Sequence, residues 1–113
     1  MDDFTFRLHM AQVEAEAFIA GLRRLLSNFK KYDISRLYAD YVAELGTLNR
    51  IEDYFRGEVN SPLNDNNITI HLRDIENYFV FLIKSHKKEE KLTDEEAETL
   101  KEEIELLIKD YTF

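Results

Sequence analysis

The chain has no cysteine and no tryptophan, and its 113 residues include one proline and three glycines. Without thiols there can be no disulfide, thiolate zinc site, iron–sulfur ligation or cysteine nucleophile. The absence also fits a reducing compartment. With so few breakers, regular structure has few places to stop. Long apolar runs are missing too. The longest is Phe79-Val80-Phe81-Leu82-Ile83, preceded by Tyr78, far short of the ~20 residues of a membrane span. The opening MDDFTFRLHM puts two acids before any base, unlike a secretory signal. These absences lead to the expectation of a cytoplasmic protein with no membrane contact.

Basic residues are also in short supply, with 15 Lys and Arg against 23 Asp and Glu. The imbalance is local. Residues 1–88 hold 13 acids and 12 bases, a net of −1, whereas residues 89–113 hold 10 acids and 3 bases, a net of −7. Nucleic-acid binding needs a basic footprint, so no direct contact with nucleic acid is expected. A basic protein partner is compatible with this charge.

What is present is helical periodicity. Phe4, Leu8, Ala11, Ala15, Phe18, Leu22, Leu25 and Phe29 step by four and three, which predicts a long first helix over about 3–30. Asp2 or Asp3 can cap its free amides. Phe4 to Met10 also alternates as a half-buried strand would, but the helical stripe runs through it. Leu37, Tyr41, Leu45, Leu48 and Phe55 predict a second helix over about 35–56, capped by Asp33 or Ser35 and stopped at Gly57. Gly46 inside it costs about 1 kcal/mol relative to alanine, which close approach of a neighbouring helix would explain. Glu58 to Asn67 holds Ser61-Pro62 and the run Asn64-Asp65-Asn66-Asn67, and is expected to be the one real loop. Ile68, Leu72, Ile75, Phe79, Leu82 and His86 predict a third helix over about 68–86. Thr93 with Glu96 three residues on is a capping box, with Leu92 placed to staple onto Ala97. Ala97, Leu100, Ile104, Leu107 and Tyr111 then predict a fourth helix over about 94–110. The expected fold is all-α: a single domain over residues 1–113 forming an antiparallel four-helix bundle.

Bundles host metals on facing side chains, so His9, His71 and His86 are candidate ligands for a metal-binding protein or enzyme. The di-iron pattern Glu-x-x-His does not occur. Arg73 beside His71 would bring positive charge to a metal there. Arg73 and His86 are too far apart to share a helix turn, as a helical-bundle ribonuclease would require. Most acids lie off the apolar stripes. Glu52 is the exception, and it can pair with Arg56. Residues 60–71 lack the glycine and closing glutamate of a calcium loop. No phosphate loop or nucleophile elbow is present. No cofactor and no catalytic set is expected.

Two surface features remain. Glu95, Glu98, Glu102 and Glu105 share one side of the fourth helix and form a candidate docking face for a basic partner. The bland alternative is a solvated face. Phe6, Met10, Val13 and Ala17, with Ala20, make a second apolar stripe on the first helix, and Tyr78 and Phe81 lie off the main stripe of the third. This surplus points to self-association as a homodimer. The expected function is therefore contact: a non-catalytic regulatory or inhibitory binding module, of the kind found among small immunity or phage regulators. The alternatives are the three-histidine protein and a structural homo-oligomer subunit.

Overall fold

In the computed structural model four helices account for nearly all of the described chain. The backbone is described for residues 3–54 and 66–110, and the side chains for all of these but 4, 51–54, 66–69 and 110. The helices are α1 (Asp3–Ser27), α2 (Ile34–Tyr54), α3 (Asn66–Leu82) and α4 (Asp94–Asp110), with a π-helical turn at Ile83–Lys87. The described residues include no strand, and Phe4 to Met10 is helical. No described helix is long and apolar enough to cross a membrane.

The predicted stripes become the core. Ala11, Ala15, Phe18, Leu22 and Leu25 of α1 are buried together with Leu37 and Tyr41 of α2, Ile75, Phe79 and Leu82 of α3, and Leu100, Ile104 and Leu107 of α4. These belong to one cluster drawn from all four helices. Burying a side chain of this size contributes roughly 1.5–3 kcal/mol, which outweighs the weak propensity of any single residue. Tyr38 and Tyr41 of α2 lay their rings against Phe79 at 5.5 and 5.6 Å. The Tyr41 hydroxyl donates to the Leu72 carbonyl at 3.1 Å.

Three helix ends differ from expectation, the first being the start of α3, at Asn66 rather than residue 68 and so within the stretch expected to be loop. α1 stops at Ser27 rather than residue 30. Asn28 N–H and Phe29 N–H bond three residues back, to the Leu25 and Leu26 carbonyls, and the Ser27 hydroxyl donates to the Arg24 carbonyl at 2.7 Å. Such short-range bonds use the last carbonyls of a helix and end it. Phe29 still reaches the core, but from the turn. α3 stops at Leu82, so the stripe does not carry on to His86. The chain widens into the π turn, and His86 takes the left-handed conformation, φ 64° and ψ 23°. It is exposed there rather than on the apolar stripe.

The two glycines inside helices also depart from expectation. A Cβ at Gly46 would meet nothing within 4 Å, so no helix approaches it closely. The tight position is Gly21, where a Cβ would run into the Glu44 carboxylate. The loop expected from Glu58 lies, as far as Asp65, outside the described residues, as do Phe55, Gly57 and Tyr111. The side chains of Ile51, Glu52, Arg56 and Ile68 lie outside them as well.

Candidate protein-interaction surface

The start of α4 is fixed by the capping box read in the sequence. Glu96 N–H donates to the Thr93 hydroxyl at 3.2 Å, and Thr93 N–H donates to Glu96 Oε1 at 2.9 Å. The second carboxylate oxygen of Glu96 accepts from Lys87 Nζ at 2.9 Å. Among the described residues Glu96 is the one buried charged side chain. Its burial works to raise the carboxyl pKa. The Thr93 N–H and hydroxyl and the Lys87 ammonium outweigh that and hold it below the ordinary glutamate value. The same hydrogen bond raises the pKa of Lys87. The capping box foretold both Thr93–Glu96 contacts. The reach of Lys87 across the connector was not legible, because it depends on the left-handed turn at His86.

That turn also brings the connector onto α2. Ile34 N–H donates to the Glu90 carbonyl and Ser35 N–H to the Lys88 carbonyl, both at 2.9 Å. Arg36 N–H donates to Asp33 Oδ1 at 2.8 Å, which makes Asp33 the cap. The orphan amides of α2 are thus satisfied by its own cap and by the α3–α4 connector.

The predicted acidic residues lie where the sequence places them. Glu95, Glu98, Glu102 and Glu105 are all exposed. The two flanks of this stripe differ. Towards α1, a groove of about 380 Å³ holds both signs of charge: Lys30 and Lys101 with Asp94 and Glu98. Lys30 Nζ lies 3.4 Å from Asp94 there. Towards α3, a groove of about 370 Å³ is lined by Asp74, Glu103, Asn77 and Thr99 around Tyr78, Phe81 and Leu100. Its lining carries two carboxylates and no base. Phe81 is 62% exposed, the most of any large apolar side chain described. Its ring stands 6.4 Å from that of Tyr78. Burial of Tyr78, then the Glu96 charge, raises its hydroxyl pKa.

The six residues expected to drive self-association fall on two separate surfaces. Phe6, Val13 and Ala17 are exposed on α1, with Met10 half-buried beside them. Tyr78 and Phe81 belong to the α3–α4 groove. Ile70 and Leu106, which sequence reading missed, are also large, apolar and exposed, and so is Val42, which spacing sets beside the α2 stripe. Ile70 and Leu106 are lone apolar residues off their helices' stripes, a pattern too common to single out without the fold.

The three histidines do not form a ligand set. His9 is exposed on α1, His86 is exposed in the π turn, and His71 Nδ1 lies 3.6 Å from Glu103 on α4. Among the described residues no three His, Asp or Glu side chains converge as a metal would require. Tyr41 has the most displaced pKa, raised far above the tyrosine range by burial and then by Glu76. It is held neutral as a structural donor to the Leu72 carbonyl.

No protein-family model matches the chain, and comparisons with curated proteins and with solved structures return no match.

Proposed function

We propose that this chain is a single-domain antiparallel four-helix bundle that acts by binding another protein, as a regulatory or inhibitory module, with α4 as its docking face. The cross-helix contacts support the arrangement. Glu14 pairs with Arg50 and Arg24 with Glu44, so the order along α1 opposes that along α2. His71 with Glu103 and Lys87 with Glu96 oppose α3 and α4 in the same sense. The observation that carries the functional reading is the charge of α4. It holds eight acids against two bases, a net of −6, and Glu95, Glu98, Glu102 and Glu105 project from it together. Like charges four apart, such as Glu98 and Glu102, weaken an isolated helix by a few tenths of a kcal/mol. A basic partner would relieve that repulsion and gain association rate from it.

The test is to co-purify the tagged protein with its partner from the native host, then to reverse Glu98 and Glu102 to lysine. The partner should present a basic face, and affinity should fall at least tenfold at low salt. Unchanged affinity at low salt sinks the docking role of α4.

A second reading, self-association through α1, is supported by the exposure of Phe6 (52%) and Val13 (46%) on one helix face. Such residues together make an apolar patch that a second copy can cover. Light scattering after gel filtration decides it. A dimer that Val13→Glu dissociates supports the reading, and a monomer at micromolar concentration removes it.

A further inference from the structure

Resting on the reading of this protein as a contact module, we propose that the groove between α3 and α4 is the docking site for a basic amphipathic helix. Four observations meet there. The groove is apolar at its floor and acidic at its rim, with Asp74 and Glu103 as its charged lining. Phe81 and Tyr78 stand at one end. Exposed Ile70 and Leu106 extend the apolar surface beyond that lining, away from Phe81 along the two helices. They are held level with each other because His71, next to Ile70, pairs with Glu103, one turn before Leu106. The flank of α4 facing α1 sets Lys30 and Lys101 among its acids, whereas the groove facing α3 is lined by Asp74 and Glu103 with no lysine or arginine.

These features specify the occupant. Ile70 and Phe81 are eleven residues apart on one helix, roughly 16 Å at 1.5 Å per residue. A partner helix meeting both needs apolar anchors about three turns apart. Lysine or arginine beside those anchors would face Asp74 and Glu103, with the Glu95 and Glu102 charges behind them. This is the helix-in-groove mode, in which anchors at helical spacing give affinity and charge gives orientation and rate. A second copy of this chain suits the groove less well, since the acidic rim would meet another acidic α4.

The experiment titrates the full chain with an 18-residue leucine–lysine peptide whose leucines repeat at helical spacing. A scrambled peptide of the same composition is the control. Binding is followed by fluorescence anisotropy and by NMR shift mapping. The helical peptide should perturb Ile70, Asp74, Tyr78, Phe81 and Leu106. Phe81→Ser should weaken it at least tenfold, and Val42→Ser should leave it unchanged. Equal binding of the scrambled peptide, with shifts confined to Glu98 and Glu102, overturns the groove while leaving α4 as a charged docking face. No binding of either peptide at low salt overturns both. A dimer that Phe81→Ser dissociates also overturns the proposal, by assigning the groove to a second copy.

Discussion

The α1–α2 pair and the α3–α4 pair are built on the same apolar periodicity, yet they present different surfaces. In the first pair the off-stripe charges answer one another. Arg50 Nε lies 3.1 Å from Glu14 and Arg24 lies 3.8 Å from Glu44, while α1 as a whole carries three acids and three bases. In the second pair α4 is strongly acidic, and the groove it shares with α3 has no base in its lining. Exposed ion pairs such as Glu14–Arg50 contribute at most about 1 kcal/mol each, so neither pattern decides the fold. Charge placement instead decides what each face can meet. The first pair offers the exposed Phe6 and Val13 on a helix of no net charge. The second offers an apolar groove with an acidic rim.

The largest expected effect separates core from surface within the second pair. Phe79 is fully buried, and Phe81, two residues on, is mostly exposed. Phe79→Ala should lower unfolding free energy by about 3–5 kcal/mol, through lost transfer energy and the cavity left behind. Phe81→Ala should change it by about 0.5 kcal/mol or less. Urea unfolding followed by circular dichroism measures both. A large loss at Phe81 would mean that it is packed rather than presented, and the groove would lose its anchor.

That contrast also marks what the sequence made legible. Stripes with steps of three and four identified every helix and nearly all of the buried side chains, because burial of a continuous face dominates helix formation in a domain of this size. Thr93 and Glu96 set the start of α4 because capping is local chemistry. The α1 and α3 ends were harder to read. Phe29 and His86 both fit their stripes by spacing, yet one is buried from a turn and the other leaves the stripe through a π turn. Spacing reports where a residue would point if the helix continued, and it is silent on whether the helix does. The groove was half legible. Tyr78 and Phe81 stood out as surplus apolar residues and the α4 acids as surplus charge, but their juxtaposition needed the pairing of α3 with α4.

A smaller effect is expected at the corner joining the two pairs. Glu96→Gln keeps the shape of the capping box but removes the charge that Lys87 meets, and should cost about 1–2 kcal/mol at neutral pH. The sign of the pH dependence follows from the lowered Glu96 pKa. The folded state holds this carboxylate ionised more firmly than the unfolded chain does. Its contribution is therefore complete above the ordinary value of 4.5 and is lost as pH falls below that towards the lower folded value. Thermal melts of wild type and Glu96→Gln should converge across that acidic window. Parallel curves there would show that Glu96 does not hold the corner by its charge.

The smallest effects come from the backbone, and they sharpen the comparison from both sides. His86 carries a side chain where the chain turns left-handed. His86→Gly should therefore stabilise by about 1 kcal/mol, since L-residues meet a penalty of ~1–2 kcal/mol there. Gly46 is the converse case, a helix-interior glycine with open space where its Cβ would stand. Gly46→Ala should add up to about 1 kcal/mol of helix propensity and reduced unfolded-state entropy. The sign at Gly46 also reports on the first pair. An isolated chain gains from the methyl group at any protein concentration, because nothing lies within its reach. If Gly46→Ala stabilises at low concentration and loses that gain as concentration rises, a second copy approaches α2 closely at this position. The proposed self-association surface would then extend from the α1 stripe onto the neighbouring helix.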